Sequence, residues 1–401
     1  MTGFTRGKTK WREAAPELIP PIPLLLLLSR VQLDDAQRVR AAGLCEEVDD
    51  WAGVASMAAE HFVAPLVLHH LSELPSSAAT ESARKAFAPV VRGMSFHILQ
   101  VAALQRRFVS QHVAPLGCPF AVLKGRALAA RYYPDPSLRY ARDLDILLPV
   151  EQIPALILSA QQAGYRVYPE YRLLNPGEAR VVSRLTPVIT LLGPDNIFIE
   201  VHAQLDKAGF LLDHRRMLAR AGQEMIDGIE VGVLDTIDHF VFVCLHHTKH
   251  FWSRLNWVAD LDALISAPGF EEEKALAVAR STGVERTIRA CLAFYRACGS
   301  DDPLEILRDD PEGSDLLKAC LVILNGGTDT EFQMRPDRLS LDFNFDWQFP
   351  PGFWMKQRMK RVRAVLRPSM RDYETLGLPP SMYWAYFFLK PALVLSRRLR
   401  G

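Results

Sequence analysis

The chain has 401 residues, of which 49% are hydrophobic and 23% are charged, and its net charge is +1. These values argue against a disordered or fibrous chain and allow two or three globular domains with a large core. The six cysteines are scattered without a CxxC pair, which argues against a zinc site or a disulfide framework and is typical of a reducing compartment.

Two apolar stretches stand out, Ile22–Leu28 and Met382–Leu395. Both are shorter than the roughly 20 residues that a membrane-spanning helix needs. The N-terminus is basic, but its first apolar run comes late and is broken by prolines, unlike a secretory signal. We therefore expect a cytoplasmic protein that does not cross a bilayer.

The charge is unevenly distributed along the chain. The segment from Lys356 to Gly401 holds 11 basic and 2 acidic residues, so the rest of the chain has eight more acids than bases. This basic tail has three interpretations: a solvated helix face, contact with an acidic lipid surface, or nucleic-acid binding. The aromatic run Met382–Leu389 is followed by several arginines. We therefore rank lipid contact and plain packing equally, and nucleic-acid binding third.

The pattern of apolar residues divides the chain into four parts. Residues 1–115 have the three- and four-residue spacing of helices, and residues 116–234 alternate short strands with helices. Residues 235–330 return to a helical pattern, and residues 331–401 combine an irregular segment with the basic tail, including a predicted helix at Trp354–Leu366. We interpret residues 116–234 as the core that carries the chemistry.

Within this core, the strand-forming segments are short and separated by turn signals. A short strand over residues 118–123 precedes a helix from Gly125 to about Tyr133, and a second strand covers Asp143–Leu148. Further along, residues 187–192 and 196–202 flank a Gly-Pro-Asp turn and predict a hairpin. An Asp-Gly pair at 227–228 predicts another hairpin.

The most informative residues are Asp143 and Asp145 in the second strand. Alternation places them together on one face, opposite Leu144 and Ile146. Two adjacent carboxylates repel each other unless a cation lies between them. Their pairing on one strand face therefore predicts a divalent-metal site, against the simpler reading of a solvated strand face.

Glu200 is the best candidate for a third carboxylate. It interrupts an otherwise apolar strand, on the face opposite Ile199 and Val201 and beside His202. Two metal ions held by three carboxylates can activate an attacking oxygen and stabilise a leaving pyrophosphate. The alternative is an exposed acid on an edge strand, and His202 is interpreted as orienting a neighbour.

Several residues are candidates for binding phosphate. Gly125 precedes a predicted helix, where backbone N–H groups can approach a triphosphate, and Lys124, Arg139 and Arg142 can neutralise its charge. The alternatives are a turn glycine and structural ion pairs, with Arg139 bracing the loop before the aspartates. Lys249 is a further candidate for triphosphate contact.

Three segments together resemble a known family. They are LeuLysGlyArgAlaLeu, TyrProAspProSerLeuArg and ArgAspLeuAspIleLeuLeu, joined later by IleGluValHis and by the histidine- and tryptophan-rich stretch 246–261. Over roughly residues 50–300 the chain is similar to the uncharacterised bacterial nucleotidyltransferase family of the polymerase-β-like superfamily. Each motif is weakly specific, but their order and spacing together are specific.

The resemblance implies a small mixed sheet with helices on one side, embedded between helical segments, in an α+β fold. It implies that Asp143 and Asp145 bind Mg²⁺ or Mn²⁺, that Glu200 completes the site, and that an NTP is the substrate. The helix expected at 246–261 would then close the nucleotide pocket. The acceptor is not implied.

One motif departs from the superfamily pattern. Many members have Gly-Ser at the nucleotide turn, whereas this chain has Lys124-Gly125. A lysine can replace the missing hydroxyl as a phosphate ligand. Two alternatives therefore stay open: a non-catalytic nucleotide-binding protein, and a peripheral membrane adaptor for envelope or polysaccharide assembly. His246 and His250, four apart, fit either metal binding or simple packing.

Overall fold

The computed structural model describes residues 18–169, 173–206, 209, 211–327, 329–334, 343–349, 352, 355, 368 and 370–400. The described helices are, in chain order, α1 (Pro21–Leu28), α2 (Asp35–Cys45), α3 (Trp51–Glu60), α4 (Ala64–Glu73), α5 (Ala78–Phe108), α6 (Arg126–Tyr132), α7 (Ile153–Gln162), α8 (Pro176–Leu185), α9 (His214–Arg220), α10 (Thr236–Lys249), α11 (Asn256–Ile265), α12 (Glu272–Thr282), α13 (Glu285–Cys298), α14 (Pro303–Ile306), α15 (Pro311–Gly326), α16 (Asp329–Met334), α17 (Met370–Leu376) and α18 (Ala385–Arg400). The described strands are β1 (Ala121–Val122), β2 (Asp143–Leu147), β3 (Arg166–Val167), β4 (Val188–Leu192), β5 (Phe198–His202), β6 (Gly222–Ile226) and β7 (Ile229–Val233).

The chain forms two compact units, each assembled from three segments. The first, helical unit contains Met1–Gln100, Gly125–Ala141 and Thr236–Phe349. The second, sheet unit contains Val101–Lys124, Arg142–Asp235 and Pro350–Gly401. The four-part division expected from sequence stays a prediction.

The helical unit is built from helices with buried apolar faces. The leucine-rich helix α1 is buried from Leu24 to Leu28, and α13 alternates buried positions such as Ile288 and Phe294 with exposed arginines. Helix α2 begins at a capping box, in which the Asp34 carboxylate accepts from the Gln37 backbone N–H and the Gln37 side chain accepts from the Asp34 N–H. Burial of apolar faces and such caps specify these helices locally.

The sheet unit contains a seven-stranded mixed sheet in the order β3-β4-β5-β2-β1-β7-β6. The central pair β2 and β5 runs parallel, as does the short pair β1 and β7, and the other neighbouring strands run antiparallel. The inner strand β2 is buried from Leu144 to Leu147, and β5 is buried at Ile199, Val201 and His202, as expected for strands covered on at least one face. This confirms the α+β class with a mixed sheet.

Both predicted hairpins are present in the sheet unit. Strands β4 and β5 pair antiparallel across the Gly-Pro-Asp turn, and β6 and β7 pair across Asp227-Gly228, where both residues have positive φ. In β7, a Cβ on Gly232 would lie 1.9 Å from the carbonyl oxygen of Phe120, so only glycine permits this close approach of β7 to the chain at β1.

Two C-terminal helices complete the sheet unit. Tyr373 of α17 and Tyr386 of α18 pack with Val181 of α8 in one apolar cluster. Asp372 and Lys390 form an ion pair between α17 and α18, and both side chains are buried. The α17 and α18 segment is therefore packed, while the predicted helix at Trp354–Leu366 lies, except for Met355, outside the described residues.

The prediction of one continuous helix over residues 246–261 is wrong. Helix α10 ends at Lys249 and α11 begins at Asn256. Between them, Phe251 and Trp252 adopt left-handed φ angles of 56° and 54° and are buried. A left-handed pair interrupts the helical hydrogen-bond ladder, and burial of both large rings stabilises this strained turn.

One described helical stretch, Ala78–Leu116, is long and apolar enough to span a membrane, which the sequence reading did not anticipate. Its most apolar window has a mean hydropathy of 1.3, and 22% of that window is buried. Core helices of soluble proteins also reach this length and composition.

Candidate active site

The sheet places three carboxylates on two adjacent strands of the sheet unit. Asp143 and Asp145 share one face of β2, because successive side chains of a strand alternate. On the neighbouring parallel strand β5, Glu200 lies in register with Asp145, and Phe198 lies in register with Asp143. Strand pairing therefore sets Asp145 and Glu200 side by side.

A lysine lies against this acidic cluster. The Nζ atom of Lys124, just after β1, is 3.1 Å from Oδ2 of Asp145, and both side chains are largely buried. Burial lowers the pKa of Lys124, but the charges of Asp145, Asp143 and Glu200 outweigh it, so the net pKa is raised. Lys124 is therefore a buried cation at this site.

His202 lies against two of the three carboxylates. Its Nε2 atom is 3.0 Å from Oδ1 of Asp145 and 3.5 Å from Oε2 of Glu200. Burial lowers the pKa of His202, but hydrogen bonds to the two carboxylates outweigh it and raise the pKa above its usual value. On β5, His202 is two residues after Glu200, so both side chains lie on the same face.

The two aspartates of β2 have opposite pKa shifts. Burial and the charge of Asp145 raise the pKa of Asp143 to about 6. For Asp145, burial raises the pKa, but Lys124 and His202 outweigh it and hold the pKa well below its usual range. The ionised form is therefore favoured at Asp145, whereas repulsion from Asp145 disfavours the ionised form of Asp143.

The donor atoms fit a divalent metal ion. One ligand atom each from Asp145, Glu200 and His202 lie within 4.8 Å of one another. Two carboxylates and an imidazole suit Mn²⁺ or Zn²⁺, and the carboxylates alone suit Mg²⁺. The predicted set was Asp143, Asp145 and Glu200, and the sequence reading gave His202 only an orienting role. The spacing of two residues between Glu200 and His202, which puts both on one strand face, was the signal that His202 can also be a metal donor.

Arg139 lies in the helical unit and binds a different carboxylate. Its Nε and Nη2 atoms donate to Asp260 at 2.6 and 2.8 Å, and the Tyr133 hydroxyl donates to the same carboxylate at 2.8 Å. Arg139 is 5% exposed. This geometry matches the alternative of a structural ion pair, and the phosphate-binding role of Arg139 stays a prediction.

Gly125 and Lys249 also lie in the helical unit. Gly125 has φ 65° and ψ −129°, a conformation that favours glycine, and precedes the seven-residue helix α6. Lys249 is the last residue of α10, is half-buried, and accepts a hydrogen bond from Asn344 on its carbonyl oxygen at 2.6 Å. Their proposed contacts with a triphosphate stay predictions.

The histidines in the last turn of α10 and directly after it pack with aromatic and acidic neighbours. The His246 and His247 Nδ1 atoms are 3.1 Å apart, and His250 Nδ1 is 2.9 Å from Oε1 of Glu331. The ring of His247 stacks on Trp257 at 4.6 Å. Among the described residues, these histidines do not form a group of three clustered metal donors. The geometry favours the packing interpretation.

The fold and the site together define a class, an α+β protein with a carboxylate and histidine cluster on the central strands of a mixed sheet. A family model described as uncharacterised nucleotidyltransferase matches residues 47–299, which is more than half of the chain and includes every candidate site residue. The chain belongs to this family, and the resemblance read from the sequence is confirmed at that level. No curated protein matches the chain.

Proposed function

We propose that the protein is a metal-dependent nucleotidyltransferase. The family supports nucleotidyl transfer at a coarse level, and the observation that carries the proposal is the pairing of Asp145 with Glu200 on adjacent strands, with Lys124 and His202 balancing part of their charge. Divalent metal ions and an NTP are the cofactor and substrate that such a site suits.

In the proposed reaction, an acceptor hydroxyl oxygen attacks the α-phosphorus of an NTP. A new oxygen–phosphorus bond forms, the bond to the β-phosphate oxygen breaks, and pyrophosphate leaves with its electron pair. The hydroxyl proton passes to a base, for which Glu200 is the candidate. A bound Mg²⁺ or Mn²⁺ would supply Lewis-acid stabilisation of the phosphate charge.

The residues of this chain have separable roles in that reaction. Asp143, Asp145 and Glu200 provide the carboxylates that would hold the metal, and His202 adds a nitrogen donor or holds Asp145 in place. Lys124 would neutralise phosphate charge beside the metal site, a role supported by the 3.1 Å distance between its Nζ atom and Oδ2 of Asp145.

A direct test measures Mn²⁺ binding, nucleotide binding and pyrophosphate release with labelled NTPs. We expect Asp145→Asn and Glu200→Gln to lose Mn²⁺-dependent nucleotide binding, because each removes a ligand charge. Glu230→Gln on β7 is the matched control, since it removes a strand carboxylate outside the cluster. Wild-type binding in both site variants would refute the assignment.

A non-catalytic nucleotide-binding protein is the second candidate. Its supporting observation is the pair Lys124-Gly125, which this chain has where many superfamily members have Gly-Ser, with Lys124 paired to Asp145. In this case wild type binds NTP with Mn²⁺ but releases no pyrophosphate with any acceptor tested. Release of pyrophosphate that depends on Asp145 excludes this candidate.

Peripheral membrane contact is a separate part of the proposal, together with a cytoplasmic location. At the start of α18, large apolar side chains face solvent, with Trp384 61% and Phe388 77% exposed. The segment they belong to is strongly basic in sequence. Aromatic side chains beside basic residues match the chemistry of an anionic lipid surface.

Liposome sedimentation tests this contact. We expect the double variant Trp384→Ser/Phe388→Ser to lose binding to phosphatidylserine vesicles, while Met225→Ser, an equally exposed apolar position on β6, binds like wild type. Point variants are preferable to deleting the tail, because Tyr386 belongs to the core of the sheet unit. Equal binding by all three proteins, or none by wild type, contradicts the proposal.

A further inference from the structure

A second cluster of metal-type donors lies on the last turn of α4 in the helical unit, formed by His69, His70 and Glu73. One donor atom from each lies within 4.8 Å of the others. The Nε2 atom of His69 is 3.6 Å from Oε1 of Glu73, and Nδ1 of His70 is 4.0 Å from Oε2. Ligands of a tetrahedral zinc ion are separated by about 3.3–3.5 Å, so small side-chain rotations suffice.

His70 is already oriented as a metal ligand. It is 2% exposed, and its Nε2–H donates to the carbonyl oxygen of Arg30 at 2.6 Å. Because a carbonyl only accepts, this bond leaves the lone pair of a neutral ring on Nδ1. That nitrogen is buried and has no hydrogen-bond partner among the described residues. Metal-binding histidines commonly donate their other N–H to a backbone carbonyl in this way.

Some charges near this cluster favour a bound cation, and others oppose it. Burial lowers the pKa of His70, which favours the neutral, metal-binding imidazole. The helix C-terminus carries partial negative charge, which favours a bound cation. Against this, Nη2 of Arg38 is 3.9 Å from Oε2 of Glu73, while Nη1 of Arg38 pairs with Asp35 at 3.1 Å. Arg38 is partly exposed, so a metal can displace it from Glu73.

We propose that His69, His70 and Glu73 bind one zinc ion, or a similar borderline divalent ion, with water in the fourth position. Two imidazoles and one carboxylate are a donor set that zinc accepts in proteins and that Mg²⁺ does not prefer. The site is distinct from the carboxylate cluster of the sheet unit and does not rest on the proposed nucleotidyl transfer.

The test titrates the metal-stripped full chain with Zn²⁺ by calorimetry and with Co²⁺ by visible absorption. Since His202 and Glu200 can also bind these ions, the background is Asp145→Asn/Glu200→Gln. In this background we expect one equivalent of metal and tetrahedral Co²⁺ bands. Adding His69→Ala or Glu73→Gln should weaken binding tenfold or more and remove the bands.

The control and a second variant keep the result decisive. His214→Ala, which removes a histidine from the sheet unit, should leave the affinity unchanged. Arg38→Gln should tighten binding, because it removes the competing cation beside Glu73. His69 and Glu73 are partly exposed, so their variants are expected to fold, which circular dichroism checks. Unchanged stoichiometry and affinity in both His69→Ala and Glu73→Gln would overturn the proposal.

Discussion

Two buried aspartates, one in each unit, show how differently a protein can treat a carboxylate. Asp260 in the helical unit receives two bonds from Arg139 and one from Tyr133, and its pKa is held well below its usual range because Arg139 and His247 outweigh the effect of burial. Asp145 in the sheet unit also has a lowered pKa, but Asp143 and Glu200 lie in the same cluster.

The difference is one of charge balance. Around Asp260, the Arg139 guanidinium binds the carboxylate in a bidentate geometry, and Nε2 of buried His247 lies 3.7 Å from its Oδ2 atom. Around Asp145, three carboxylates face one lysine and one histidine, so negative charge is in excess. A balanced buried pair serves structure, whereas an excess of buried negative charge is expected where a further cation binds.

The largest expected effect is on stability. Asp260→Asn leaves Arg139 buried without its carboxylate and should lower the free energy of unfolding by about 3–5 kcal/mol. Asp145→Asn in metal-free protein should cost less, because relief of the repulsion with Asp143 and Glu200 offsets part of the loss of its contacts with Lys124 and His202. Urea unfolding measures both. Equal losses would remove the distinction between the two sites.

The second largest expected effect is on activity, which should depend on the Asp145 site more than on the Asp260 site. Asp145→Asn should reduce pyrophosphate release by about 100-fold or more, since a positioned charged group at a reacting site typically contributes that much. A partial-loss variant of the helical unit, Tyr133→Phe, should retain activity within a few-fold while losing about 1 kcal/mol of stability. Comparable activity losses in the two variants would contradict the comparison.

A third effect concerns acid sensitivity of the helical unit. Burial lowers the pKa of His61 to about 4, and its Nδ1 lies 3.0 Å from the Ser253 carbonyl oxygen. The unfolded chain therefore binds a proton that the folded chain does not as pH falls from 6.5 to 4, and stability should fall by about 2–3 kcal/mol. His61→Asn keeps a donor and should flatten this dependence in pH-dependent unfolding. An unaltered slope would assign it to other groups.

The smallest expected effect is on metal affinity without nucleotide. Lys124→Met removes a buried cation 3.1 Å from Asp145 and should raise Mn²⁺ affinity by about threefold to tenfold. Lys318→Met on α15 is the control, because Lys318 lies in the helical unit. Weaker Mn²⁺ binding by Lys124→Met would show that Lys124 supports the metal site rather than competing for it.

Much of the sheet was predictable from the sequence because its signals are local. Alternation placed Asp143 and Asp145 on one face, and Asp-Gly at 227–228 specified a turn that requires positive φ. The sequence predicted that Asp145 and Glu200 belong to one site, but not that they lie in register on adjacent strands. Its register depends on the pairing of β2 with β5, which no local pattern encodes.

The features that escaped prediction depend on long-range packing. The break between α10 and α11 follows from burial of the Phe251 and Trp252 rings, which overrides their helical spacing. The partner of Arg139 is 121 residues away, so its role could not be read from its neighbours. The lone pair of His70 depends likewise on the Arg30 carbonyl, on a different segment of the chain.

The division into two units has an evolutionary consequence. The chain passes from one unit to the other five times, so neither unit corresponds to a single stretch of the gene. A recombination event or a premature stop between residues 101 and 349 would therefore deliver fragments of both units and a complete version of neither. We expect this pair of units to be inherited together, and their family to diversify by substitution and loop insertion rather than by exchange of modules.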